Sequence, residues 1–285
     1  MELVVWPGDH GLPSLDLTSI QLLAYCKFSG APVKVNQINR SWNVIYRVPS
    51  FSHGFNVRLN TFNDVTAYLQ RQNYNCDLKL NSKALFDVQA YMSIISQKLE
   101  PALSYIYWAN DGNYSSFIRP WYAKRIPFPA SLILPDRYQS SQLDKLTILI
   151  GDKEGWTEKE KSMIEEAEKC LKLLSQKLGE QKYFFGDTPT IFDAYVFGYL
   201  ALCTIPFPSY NPLKSTINNL PNLPTYLSRI KRSYFPDVQE TTEEKPNETE
   251  NEFPNRWLDI TLSSLFAASV MFTYAYLHLR HFTRR

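Results

Sequence analysis

Cysteine is scarce and scattered: Cys26, Cys76, Cys170 and Cys203 are far apart and form no Cys-x-x-Cys. That excludes a disulfide framework and favours a reducing compartment, with Cys26, Cys170 and Cys203 read as buried free thiols in apolar patterns. Histidine is as sparse. His10, His53, His278 and His281 show no metal-ligand spacing with Cys or carboxylates, so neither a metal nor another cofactor is expected. A charge excess of one sign is missing too. The 30 Lys and Arg against 28 Asp and Glu leave a net charge of +2, with no basic stripe outside the extreme C-terminus, and no nucleic-acid partner is implied. At the start, Met1-Glu2 runs straight into Leu3-Val4-Val5-Trp6, too short and too acidic for a signal peptide. The Asn-x-Ser/Thr sequons at Asn39, Asn113 and Asn247 therefore have no expected use, since they matter only in a secretory lumen. What is present is a chain of 285 residues, 44% hydrophobic and 20% charged, long enough for two small domains or one large one with an ample core.

Residues 2–6 read as a short buried strand, followed by a Gly/Pro loop and a helix over 17–28 that Ser14 or Asp16 could cap. Residues 33–38 alternate as a half-buried strand, and strand-helix-strand implies a parallel pair. Val48-Pro49-Ser50-Phe51, a turn at His53-Gly54 and Val57-Arg58-Leu59 give an antiparallel hairpin. A helix over 60–73 puts Phe62, Val65, Tyr68 and Leu69 inward. This order is that of a thioredoxin-like domain, assigned to residues 1–77. Pro49 is its expected cis-proline, with a trans proline at a strand start as the competing reading.

From residue 78 to 235 strands give way to an all-α domain. Residues 82–109 form one long helical pattern that Pro101 should kink or split. Residues 110–113 read as a turn, and the four prolines of 120–135 as two helix ends meeting. Thr157-Glu158-Lys159-Glu160 has the form of a capping box and opens a helix stopped by Gly179, and a last helix covers 222–234. The most informative stretch runs from Phe184 to Leu202. Thr190 is a good N-cap, Asp193 can reach back to the cap's N–H, and its charge suits the helix dipole. No charge follows until Lys214, so this helix should be central to its domain.

Residues 236–256 are polar and acidic, with Glu240, Glu243, Glu244, Glu248, Glu250 and Glu252, and read as a disordered linker spanning ~25 Å. Residues 257–279 read as one C-terminal transmembrane helix. Ile260, Leu262, Leu265, Phe266, Val270, Met271, Phe272, Leu277 and Leu279 supply its apolar body, and Trp257 an interface anchor. About twenty residues at 1.5 Å each cover ~30 Å, one hydrocarbon thickness. Arg280, Arg284 and Arg285 lie beyond it in a basic tail, 280–285. A span this close to the end implies a tail anchor inserted after synthesis, with the bulk of the chain facing the cytosol. The positive-inside tendency points the other way, but the large domain carries no signal to cross.

Gly186-Asp187-Thr188-Pro189-Thr190-Ile191-Phe192-Asp193 is similar to the start of the sixth helix of the glutathione transferase fold. Over nearly its whole length the chain resembles the metaxin family. The resemblance rests on Trp6 with Gly11-Leu12-Pro13-Ser14; Phe28-Ser29-Gly30-Ala31-Pro32; Tyr74-Asn75-Cys76-Asp77; Pro120-Trp121-Tyr122-Ala123; Ile126-Pro127-Phe128-Pro129; and Cys170 through Tyr199. The C-terminal span favours the metaxin 1 type over metaxin 3. The resemblance implies an α/β thioredoxin-like N-terminal domain plus an all-α glutathione-transferase-C-like domain, anchored in the mitochondrial outer membrane. It also implies association with metaxin 2 and the barrel subunit of the sorting and assembly machinery, a role in protein import and β-barrel insertion, and a link to transport motors. Glutathione conjugation is the enzymatic alternative, and a transferase-like protein acting on mitochondrial shape a third. Conjugation needs a hydroxyl or thiol after the first strand and an acid-hydroxyl pair for the γ-glutamyl end. Ser14 is the only candidate hydroxyl, and Thr61-Phe62 stands where the pair belongs. No catalytic residue and no small-molecule ligand are therefore expected.

Overall fold

The computed structural model describes residues 1–38, 48–151 and 155–238, and beyond them Thr261, Ser264, Leu265, Ala268, Ser269 and Met271. Strand β1 (Glu2–Val5) alternates so that Leu3 and Val5 are fully buried. Helix α1 (Leu17–Ser29) begins where Asp16 Oδ2 accepts from the Ser19 N–H and hydroxyl at 2.8 and 2.7 Å, and it ends at left-handed Gly30. Of the two expected caps, Asp16 is therefore the one used. Strand β2 (Lys34–Gln37) runs parallel to β1, Glu2 facing Lys34 and Val5 facing Gln37. It lies at the sheet edge, so its alternation buries no full face, and Ile38 just beyond it goes inside instead. The hairpin of β3 (Ser50–His53) and β4 (Val57–Leu59) completes a sheet of order β2-β1-β3-β4, turning through Gly54 at φ +60°. Val48–Pro49 is cis. Helix α2 (Phe62–Arg71) is capped by Thr61, which accepts from the Asp64 N–H.

The remainder is helical. Pro101 splits the long pattern as expected: α3 (Ser82–Lys98) ends, and α4 (Glu100–Ser104) carries Pro101 in its first turn, where the missing N–H is harmless. The expected turn at 110–113 is a restart rather than a break. After a π-helical stretch (Tyr105–Ala109), Asn110 Oδ1 accepts from the Asn113 N–H, and α5 (Asp111–Asn113) runs through another π-helical stretch (Tyr114–Ile118) into α6 (Arg119–Arg125). The Asn113 sequon is inside the fold. Its side chain is fully buried, donates to Ile106 O and Tyr210 O, and accepts from the Tyr210 N–H, so it is closed to a glycan.

After α7 (Leu134–Ile150), α8 (Trp156–Leu178) starts one residue before Thr157, with Gly155 as its cap and no side-chain cap bond. The capping-box assignment is thus displaced. Buried Trp156 donates from Nε1 to Gly151 O at 2.8 Å, and that anchor sets where the helix begins. Two helices close the unit after α9 (Ile191–Cys203): α10 (Pro212–Asn218) and α11 (Asn222–Tyr234). The chain stays packed as far as Val238, three residues into the expected linker; the rest of that linker lies outside the described residues.

Helix α9 is the centre. It packs most extensively against α1, across the junction of the two units. Gly198 makes that approach possible, because a Cβ there would sit 2.6 Å from Gln21 Cγ. Gln21 in turn donates to Tyr195 O at 3.1 Å. At the head of α9, Thr190 and Asp193 form a capping box. Asp193 is completely buried and gathers far more than a cap does. Its Oδ2 accepts from the Thr190 N–H and hydroxyl at 2.9 and 2.8 Å, and its Oδ1 from the Phe184 N–H and the Tyr226 hydroxyl, each at 3.1 Å. A second carboxylate comes from the segment joining the units: Asp77 Oδ1 accepts from the Ile191 N–H at 2.8 Å.

Burial pushes the Asp193 carboxyl up to about 6 in spite of those four donors. The folded chain then holds the proton more tightly than the unfolded one, so Asp193 contributes most at low pH and its contribution is lost as pH rises through about 6. In thermal melts of the detergent-solubilised chain, the advantage of wild type over Asp193→Asn should widen between pH 7.5 and pH 5, taken as about neutral and mildly acid. Asp193→Ala should cost roughly 3 kcal/mol or more, not the ~1 kcal/mol of a surface cap, because several buried donors lose their acceptor. A Tm within a degree or so of wild type would refute this role.

Candidate functional site

The loop between β1 and α1 leads into the junction of the two units. It is wound tightly: Leu12 N–H donates to Asp9 O at 2.9 Å, and His10 and Gly11 both have left-handed φ. Gly8 is required there, since a Cβ would lie 2.4 Å from Leu12 O. The winding aims Asp9 at α6. Its Oδ2 accepts from Trp121 Nε1 at 2.8 Å and from the Arg125 guanidinium at 3.0 Å, while that guanidinium lies 3.8 Å from the centre of the Trp121 ring. Trp6 packs edge-on against Tyr122 at 4.8 Å. Burial alone would raise the Asp9 carboxyl, but the Trp121 N–H, the His10 amide and the charges of His10 and Arg125 outweigh it and hold Asp9 below its usual range. Burial costs Arg125 more than Asp9 returns, which leaves the guanidinium below its ordinary value. The pair therefore fixes geometry more than it adds stability.

The positions that conjugation chemistry would need are occupied by packing. Ser14 is fully buried, and its hydroxyl oxygen accepts from the Asp16 N–H at 3.2 Å. It supports the start of α1 without being its cap. Thr61 is spent on capping α2 and donates to Asp64 at 2.6 Å. Phe62 is buried between Tyr25, edge-on at 6.4 Å, and Tyr195, tilted at 5.6 Å. Where an acid would face a ligand, the chain has an aromatic joint between α2 and α9. Pro49 precedes β3 in the cis form.

The residues read as a membrane anchor are only partly placed. Leu265 and Met271 are helical and about two-thirds exposed, at 67% and 66%. Trp257, Ile260, Leu262, Phe266, Val270, Phe272, Leu277, Leu279, Arg280, Arg284 and Arg285 lie outside the described residues. Among the described residues no helix is long and apolar enough to cross a membrane.

Comparison with known proteins places this fold. Metaxin-1 of Macaca fascicularis is 37% identical over 285 residues, covering 97% of this chain and 90% of that protein. The chain belongs to the metaxin family. Human Metaxin-1 is likewise 37% identical, with 97% of this chain covered but only 61% of the human protein, and zebrafish Metaxin-3 is 35% identical over 84% of this chain and 77% of its own length. A family model described as an outer mitochondrial membrane transport complex protein matches residues 19–139, and one for the glutathione S-transferase C-terminal domain matches 167–230. Among solved structures, glutathione transferase F7 of Populus trichocarpa superposes with a TM-score of 0.51 at 14% identity, over 83% of this chain and 96% of its own. A β-etherase of Sphingobium gives 0.54 at 15%, over 83% and 97%. At such identities the likeness shows the fold alone: an α/β N-terminal domain and a helical C-terminal one.

Within this metaxin-family fold, the junction residues that sequence reasoning passed over are Asp9, Asp77, Trp121 and Arg125. Asp77 and Trp121 lay inside stretches that carried the family resemblance, but nothing local assigned them partners more than a hundred residues away. Asp9→Ala should lower stability by about 1–2 kcal/mol, since it strands the Trp121 N–H and Arg125. Because the Asp9 carboxyl is depressed, its contribution is present above the usual carboxylate range and is lost as pH falls below about 4. Denaturant melts of wild type and Asp9→Asn at neutral and acid pH should therefore converge as the pH falls.

Proposed function

We propose that this metaxin-family chain is a non-catalytic receptor or scaffold subunit of an outer mitochondrial membrane transport complex. It sits with its bulk in the cytosol, held by the segment 257–279 as a tail anchor, and it acts in protein import and β-barrel insertion. Its partners in this reading are metaxin 2 and the barrel subunit of the sorting and assembly machinery. The observation that carries the non-catalytic part is the use of Ser14, Thr61 and Phe62 for folding: one hydroxyl is buried and bonded, one is a cap, and the third position is an aromatic joint. The family model over residues 19–139 supports the transport role, and the apolar run ending before Arg280 supports the anchor.

Co-purification from detergent-solubilised mitochondria tests the scaffold role. Recovery of metaxin 2 and the barrel subunit is expected, and their absence overturns the assignment. The chain should also fail to bind immobilised glutathione and should not accelerate thiol conjugation with a generic electrophile; success in both would restore the enzymatic alternative. Deleting residues 258–285 should release the protein from mitochondria in cells that lack metaxin 2. Retention in that background would contradict the anchor.

A further inference from the structure

A cavity of about 110 Å³ lies where the start of α1 meets α4, α6 and α7. Leu15, Leu103 and Leu202 give it apolar walls, and Asp16, Glu100, Ser104, Tyr122, Gln142 and Lys145 its polar ones. Folding explains some polar groups beside it but not all. Tyr107, also in the wall, spends its hydroxyl on Leu202 O at 3.0 Å. Glu100 accepts from the Tyr199 and Ser96 hydroxyls through Oε2 alone, and Asp16 accepts both Ser19 bonds through Oδ2 alone, so each carboxylate keeps an oxygen unused among the described residues.

Tyr122 is the decisive group. It is only 5% exposed, wedged among Trp6, Trp121 and Trp108, and its hydroxyl makes no hydrogen bond among the described residues. No fully buried side-chain polar atom among the described residues lacks a partner, so this hydroxyl is not sealed off, and Tyr122 lines the cavity. A hydroxyl this enclosed is satisfied only by what enters the cavity, water or a ligand. Asp16 and Lys145 both line the cavity, Lys145 at an exposed position; burial pushes the Asp16 carboxyl up, and the charge of Lys145 draws it down.

The geometry points to a binding site for a zwitterion of α-amino-acid size. Its ammonium sits among Asp16, Glu100 and the Tyr122 hydroxyl, and its carboxylate is turned to Lys145 and Gln142 at the mouth. Two carboxylates against one ammonium in the walls favour the cationic end inward. A cavity of ~150 Å³ holds a molecule as large as benzene, so this one admits a small amino acid and excludes a tripeptide such as glutathione. The site is separate from the scaffold role, and loss of binding should leave co-purification with partners intact.

The test is a thermal melt of the detergent-solubilised full chain with each standard L-α-amino acid in turn, followed by calorimetric titration. At least one should raise Tm by about 2–4 °C. Its N-acetyl derivative, which lacks the ammonium, should give no shift. Tyr122→Phe should weaken the affinity about fivefold to tenfold, the loss of one hydrogen bond. Lys145→Gln, at an exposed position, should weaken it while leaving the ligand-free Tm unchanged. If no amino acid shifts Tm or binds, if the N-acetyl form binds equally, or if affinity is unaltered in Lys145→Gln, the assignment is wrong.

Discussion

The structure turns on carboxylates placed at the head of a buried helix that carries no charge beyond its first turn. The first backbone N–H groups of α9 are buried, and they need acceptors that water cannot supply there. Asp193 supplies one set from inside the helix and fixes the incoming turn through Phe184 and the last helix through Tyr226. Asp77 supplies the next from the segment that joins the two units. One helix end therefore ties together the turn before α9, α11 and the end of the α/β unit. With α9 set, Gly198 lets α1 close against it, and the junction between units becomes part of a continuous core.

That junction sets this chain's side chains apart from those the resemblance to a transferase frame leads one to expect. The same elements that would present a hydroxyl and an acid to a ligand here present a buried serine, a capping threonine and a phenylalanine packed between tyrosines. The Asp9–Trp121–Arg125 contact clamps the loop after β1 to α6. The clamp holds the loop rigidly against the helical unit. Beside this junction lies the cavity at the start of α1, lined by Tyr122, whose hydroxyl has no hydrogen bond among the described residues.

Much of the fold could be read in advance where local chemistry was unambiguous. The strand-helix-strand-hairpin-helix order, Pro49, the split at Pro101, the apolar α9 with its capping pair and the last helix over 222–234 each follow from short-range signals. The misreadings have physical causes too. Asn110 and the residues after it have turn chemistry, but Asn110 caps a restarting helix. Thr157 has the form of a cap, yet the burial of Trp156 draws the helix start back past it. Helix α7 escapes notice because of its length only Pro135 and Leu146 are buried, too few to impose a period. The cis Phe128–Pro129 bond lies among four prolines that offered no means of choosing between them.

The sequence by itself determined the family, the two-part architecture and the identity of the central helix, because periodicity, caps and ordered short motifs are local properties of the chain. It also put Phe62, a side chain without an acceptor, where the resemblance leads one to expect an acid-hydroxyl pair. Only the tertiary structure decided what the polar residues of the junction do. Asp193 looked like a surface-grade cap and is a buried acceptor for four donors. Asp9 and Asp77 looked like loop residues and are the contacts that join the units. The partners of Asp9 and Asp77 lie more than a hundred residues away along the chain, and for Asp193 no local pattern records that the closed core will leave Phe184 and Tyr226 without water.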